Sequence, residues 1–200
     1  MKLFAAFALA SVAMTSTPAL AATFIVQAQA NSSSGGAGLG TINLAVGQAF
    51  TVSAGSNDLW SAGALPRFSD GNGLIADRFA TPLDDSGQPT GTLIGTNFGT
   101  WTQNSFSAPY GALVGRIGAN YVLIGTAFAG VAPSAGVLDL FYWDSNNGDN
   151  TGEIAVNVNA LATAVPESTT WMMMIAGFGI VGGLFRGRRR SRPVKAVACA

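Results

Sequence analysis

An all-β domain of two packed sheets is the fold class that this 200-residue sequence predicts. Three observations predict it. Between Ala22 and Asn159 the chain breaks into short runs rich in Val, Ile, Phe, Tyr and Thr, parted by clusters of Gly, Asn, Ser and Pro. Where alternation is clear its period is two, and no apolar period of 3.6 persists for a dozen residues. Only 10% of residues are charged while 26 are glycine, a composition of tight turns between half-buried strands. About eight strands in about 140 residues make a two-sheet sandwich.

The elements follow in order. Lys2 precedes an apolar run from Leu3 to Ala13, and Ala19-Leu20-Ala21 has the small residues of a signal-peptidase site. Residues 1–21 therefore read as a signal peptide cut between Ala21 and Ala22; a run of about eleven residues is too short for an anchor that spans a bilayer. Strands are expected at Thr23 to Ala28, Phe50 to Ala54, Gly111 to Ile117 and Tyr121 to Phe128. Gly136 to Trp143 is a heavier strand, with Val137, Asp139, Phe141 and Trp143 on one face and Leu138, Leu140 and Tyr142 on the other. The clearest alternation is Glu153 to Asn159, where Ile154, Val156 and Val158 face a core and Glu and Asn side chains face water. Residues 31–40 (NSSSGGAGLG) have the glycine of a phosphate loop but no Gly-Lys-Ser/Thr ending, and read as a flexible loop.

After residue 160 the character changes. An uncharged apolar run from Trp171 to Phe185 is expected to form one transmembrane helix, short at about 22 Å. Six of the ten Lys and Arg residues follow it, which places the tail in the cytoplasm and the domain outside. The order Pro166, Glu167, a polar spacer, Trp171, Met173, Ile175, Gly177, Phe178, Gly179, then Arg188, Arg189 and Arg190 resembles the PEP-CTERM sorting signal, with Ser168 and Met172 where that pattern has Pro and Ala. The resemblance covers roughly residues 164–192. It implies recognition by an exosortase, a membrane-embedded transpeptidase-like enzyme, then removal of the helix and release at the cell surface alongside exopolysaccharide. A plain single-pass anchor is the alternative. The expected organisation is a signal peptide (1–21), a β-sandwich (22–160), a sorting signal (161–192) and a short tail (193–200).

Charge and residue types narrow the function. From Ala22 to Val165 nine acids face three arginines, a net of minus six. So few cations cannot neutralise phosphates, which argues against nucleic acid, whereas a hard cation such as calcium suits an acidic domain. The chain has no His, and its one Cys, Cys199, lies beyond the arginines. Histidine triads, thiol catalysis and histidine metal sites are excluded; only a carboxylate pair of the glycosidase kind would remain, and nothing in the spacing identifies one, so no enzyme is expected. Asp84-Asp85 is adjacent on an extended segment and reads as solvent-facing rather than as an acid/base couple.

Asp144, Asp149 and Asn150 lie in a Gly-containing turn between two strands, where two carboxylates and an amide oxygen can converge on one cation. The same run (DSNNGDNTG) also reads as an ordinary polar hairpin turn. The flanking blocks, Tyr110 to Gly118 (YGALVGRIG), Gly136 to Asp144 (GVLDLFYWD) and Gly148 to Val158 (GDNTGEIAVNV), with echoes at Val52 to Gly55, Trp60 to Gly63 and Asp70 to Leu74, resemble the PA-IL (LecA-like) galactophilic lectins. That resemblance implies a jelly-roll-like β-sandwich in which calcium bridges a loop to two sugar hydroxyls. It carries the metal ligands onto Asp144, Asp149 and Asn150, a middle carbonyl onto Ser145 or Asn146, and a further backbone carbonyl onto the neighbourhood of Ala62. Sugar contacts fall on Asn150 and near Asn72, while the family's sugar-contacting His has no counterpart. Trp60, Trp101 and Trp143 read as core residues or as aromatic platforms. Carbohydrate binding is thus the expected function, and a structural matrix protein of the cell envelope without a sugar site is the alternative.

Overall fold

A computed structural model of the chain describes residues 20–161 and 168–189. The chain divides into two compact units, Met1–Thr163 and Ala164–Ala200. The first holds strands β1 (Leu20–Gln27), β2 (Leu39–Leu44), β3 (Ala49–Ala54), β4 (Trp60–Ser61), β5 (Phe68–Ser69), β6 (Arg78–Phe79), β7 (Leu93–Gly95), β8 (Thr100–Gln103), β9 (Phe106–Pro109), β10 (Ala112–Ile117), β11 (Asn120–Leu123), β12 (Ala127–Val131), β13 (Gly136–Trp143) and β14 (Thr151–Ala160). One sheet runs β12-β3-β14-β4-β5, with β1 also paired to β14; the other runs β11-β10-β13-β2. All of these pairs are antiparallel.

The period-two reading of the two long strands holds. Ile154, Val156 and Val158 of β14 and Leu138, Leu140 and Tyr142 of β13 are all buried in one core between the sheets. The other face of β13 is covered too. Trp143 packs with Ala112, Val114, Trp101, Phe106 and Tyr121, because the hairpin β8-β9 folds over it and Trp143 Nε1 donates to Trp101 O at 2.8 Å. That hairpin turns through Asn104 and Ser105, both at positive φ (51° and 63°), the conformation of a two-residue loop that matches strand twist.

Three expectations change. Tyr121 to Phe128 is not one strand: Gly125, at φ +67°, breaks it, and Ile124 N and Gly125 N both donate to Leu113 O, so β11 stays in one sheet while β12 joins the other. Residues 31–40 are not a loose loop. Ser32 is fully buried and bridges to Tyr142. The strand count rises from about eight to fourteen, because residues 60–109 add the short pieces β4 to β9.

In the second unit, α1 (Ser168–Arg189) forms where the apolar run predicts a helix. Among the described residues no helix is long and apolar enough to cross a membrane.

Candidate functional site

Three turns meet where β13 ends. They are residues 144–150 between β13 and β14, residues 28–37 between β1 and β2, and residues 62–67 between β4 and β5. The first turn is held by its own side chains, as Asp- and Asn-rich turns are. Ser145 N donates to Asp144 Oδ1 at 2.7 Å, Gly148 N to Asn146 Oδ1 at 3.1 Å, and Asn146 Nδ2 to Asp149 Oδ1 at 3.1 Å. The second turn clamps it from one side. Ser33 Oγ donates to Asp144 O at 2.9 Å and accepts from Asp144 N at 3.1 Å, while Asn150 Nδ2 donates to Ala28 O at 3.3 Å.

The third turn approaches Asp149. Gly63, at φ +115°, lies so near that a Cβ there would stand 2.5 Å from Asp149 Oδ2, so only glycine lets carboxylate and backbone come together. Arg67 Nη1 donates to Ala62 O at 3.2 Å and lies 3.6 Å from Asp149 Oδ2. The Arg67 and Asp149 side chains are 36% and 49% exposed, so this ion pair contributes at most about 1 kcal/mol.

The interior of the site is less settled electrostatically. Asp144 is only 5% exposed; burial pushes its carboxyl above the ordinary range and the Asp149 charge adds to this, against hydrogen bonds from Ser145 N–H and the Asn150 amide. Asn150 is 3% exposed, and its Oδ1 is buried without a hydrogen-bond partner, a condition that costs about 1–3 kcal/mol. The Tyr142 hydroxyl is unpartnered as well. Burial holds it well above its usual range, with the charges of Asp144 and Asp149 adding. A groove of about 460 Å³ lined by Gln27, Gln29, Asn150, Thr151 and Glu153 opens beside Asn150.

An under-coordinated arrangement of oxygens with no nitrogen or sulfur ligand is what a hard cation such as calcium takes. Asp144, Asp149, Asn150 and the Ala62 carbonyl therefore fit that group. Among the described residues no three His, Cys, Asp or Glu side chains form a metal group; this set has two carboxylates and takes its other oxygens from an amide and the backbone.

The other expected site residues fare differently. Asn72 is held in place by Thr126: its Oδ1 accepts from Thr126 N at 3.1 Å and its Nδ2 donates to Thr126 Oγ1 at 3.1 Å. It pins the corner between β11 and β12, and these bonds do not reach the 144–150 turn. Trp60 and Trp143 are fully buried, leaving Trp101, half-buried, as the one of the three with an accessible ring. Asp84 and Asp85 serve as local acceptors, Asp84 from Ser86 and Thr81 and Asp85 from Leu59 N at 2.8 Å. Ala21 and Ala22 lie in β1, which starts at Leu20. Trp171, Arg188 and Arg189 fall within α1; Pro166, Glu167, Arg190, residues 1–19 and the 193–200 tail lie outside the described residues. Sequence reasoning missed Ser33, Gly63 and Arg67. The one available signal was Arg67's rarity, as one of three cations in an acidic domain.

No family model matches the chain, and no curated protein matches it. Among solved structures the chain is similar to one described as "EclA N-terminal domain; PllA-like lectin", at 24% identity over 70% of this chain and 95% of that one, with a TM-score of 0.44.

Proposed function

We propose that the domain over residues 22–160 is an exported carbohydrate-binding module that holds calcium through Asp144, Asp149, Asn150 and the backbone near Ala62. The observation that carries this reading is the unpartnered Asn150 Oδ1, buried in the same turn as the buried Asp144 carboxylate. A buried carboxylate and a buried amide oxygen without a donor are both costly, and a cation bound in the turn would relieve both. Calcium, when bound, would supply that charge and leave coordination positions for two hydroxyls of a sugar. This chain's own part is to hold the oxygens in place: Ser33 grips the Asp144 backbone, Asn146 orients Asp149, and Ala28 O fixes the Asn150 amide. The role is binding rather than catalysis. Delivery follows from the ends of the chain, with signal peptidase acting between Ala21 and Ala22 and an exosortase acting at Pro166, Glu167 and Trp171, so that the domain reaches the cell surface or its exopolysaccharide.

The test is the melting temperature of the full chain in calcium and in EDTA, together with glycan retention. At a hundredfold excess of calcium over its dissociation constant, mass action adds about 2.7 kcal/mol. Asp149→Ala should abolish both the shift and calcium-dependent glycan retention. Asp85→Ala, which removes the acceptor for Leu59 N, should lower the baseline and keep the calcium shift. A wild-type protein with no calcium shift and no retained glycan would leave the matrix-protein reading in its place.

A further inference from the structure

We propose that Arg67 is a tethered cation that occupies part of the calcium position, so that guanidinium and metal ion exclude one another. The inference rests on the reading above and adds the residue that sets how strongly the site takes a metal.

Four oxygen donors are assigned to the site, and Arg67 Nη1 already engages two of them, Ala62 O at 3.2 Å and Asp149 Oδ2 at 3.6 Å. The other two, on Asp144 and Asn150, lie deeper and have no contact with it. The guanidinium is supported from behind. Its Cζ lies 4.6 Å from the centroid of the Phe98 ring, within cation–π range, and Phe98 in turn meets Tyr110 edge to face at 5.2 Å. Arg67 is five residues from Ala62, across the β4-β5 turn, so it returns to the same oxygens at high effective concentration. Gly63 removes the one Cβ that would stand between them: a side chain there would lie 2.5 Å from Asp149 Oδ2 and 3.3 Å from Arg67 Nη1.

A guanidinium cannot complete this site. Its planar donors satisfy acceptors on one side, and they leave the buried Asn150 Oδ1 without a partner. A divalent ion at the same oxygens would repel the guanidinium beside it. Since Arg67 is 36% exposed, it can withdraw along the Phe98 ring into solvent without breaking core packing. Arg67 thus neutralises Asp149 in the metal-free protein and lowers the apparent calcium affinity by the fraction of time it is seated.

Calorimetric titration of the full chain with calcium chloride alone tests this on wild type, Arg67→Gln and Arg67→Lys. If the guanidinium is seated nine-tenths of the time, Arg67→Gln binds calcium about tenfold more tightly than wild type. Arg67→Lys, which keeps the charge, should restore most of the competition. In wild type the Arg67 guanidinium N–H protons should exchange faster with solvent once calcium saturates, because the side chain is released, a rise that an arginine remaining in place would not show. Equal affinities in wild type and Arg67→Gln overturn the inference and leave the calcium reading standing. Weaker binding in Arg67→Gln overturns it too, by making Arg67 a support for the turn. Absence of calcium binding in all three proteins refutes both the calcium reading and the competition.

Discussion

Replacing Gly63 with alanine separates the site from the backbone that carries it. Gly63 sits at φ +115°, and an added Cβ would stand 2.5 Å from Asp149 Oδ2, closer than atoms tolerate. The backbone contribution is about 1–3 kcal/mol for a non-glycine residue in such a region. Displacing Asp149 also loses its ion pair with Arg67, which contributes at most about 1 kcal/mol at this exposure. Together the loss should be about 1–4 kcal/mol. Gly47→Ala is the control, because Gly47 also has positive φ (+74°) but nothing lies within 4 Å of its Cβ position; it should lose only the backbone part, about 1 kcal/mol. Urea denaturation of the full chain in EDTA measures both. In calcium the two should diverge further, since Gly63→Ala moves a metal ligand and Gly47→Ala does not. The reasoning is refuted if Gly63→Ala is no worse than Gly47→Ala, or if it keeps the full calcium-induced stabilisation.

Other outcomes follow from single observations. Burial, then the neighbouring Asp85 and Glu153, hold the Asp58 carboxyl above its ordinary range. The native state therefore binds this proton more tightly than the unfolded chain, and stability falls as pH rises from the ordinary carboxylate range through the raised native value. Asp58→Asn, which can still accept from Ala155 N as Asp58 Oδ2 does at 2.6 Å, should flatten that fall in melting curves taken in EDTA between about pH 4 and pH 7; parallel curves would contradict it. Trp143→Ala should cost about 3–5 kcal/mol in urea denaturation, because Trp143 is fully buried and meets Phe106 at 5.3 Å, whereas a loss under about 1 kcal/mol would show that β8-β9 is not packed against β13. Intact mass of the exported protein should show an N-terminus at Ala22 and no residues 172–185. The cut removes the pairs Leu20–Ala160 and Ala21–Asn159 but leaves Ala22 to Gln27 on Val158 to Glu153. Recovering residues 172–185 in the exported protein would defeat the sorting prediction.

What the sequence determined by itself is what depends on neighbours along the chain. The faces of Gly136 to Trp143 and of Glu153 to Asn159 were legible because a strand alternates its side chains with period two wherever it lies, so Leu138 and Leu140 had to share a face, and so did Ile154 and Val156. The 144–150 turn was legible for the same local reason, and so was the helix over the apolar C-terminal run. Tertiary structure alone decided the rest. Gly125 splitting one expected strand between two sheets depends on Leu113 O, the buried Ser32 depends on Tyr142, and Asn72 closes on Thr126 rather than on the site. Arg67 and Asp149 are brought together by the pairing of β4 with both β5 and β14, across an interval of chain that carries no periodic signal linking them. Nor could the sequence show that Asn150 Oδ1 would be buried without a partner, because hydrogen-bond satisfaction is a property of everything around an atom in space and not of its neighbours in the chain.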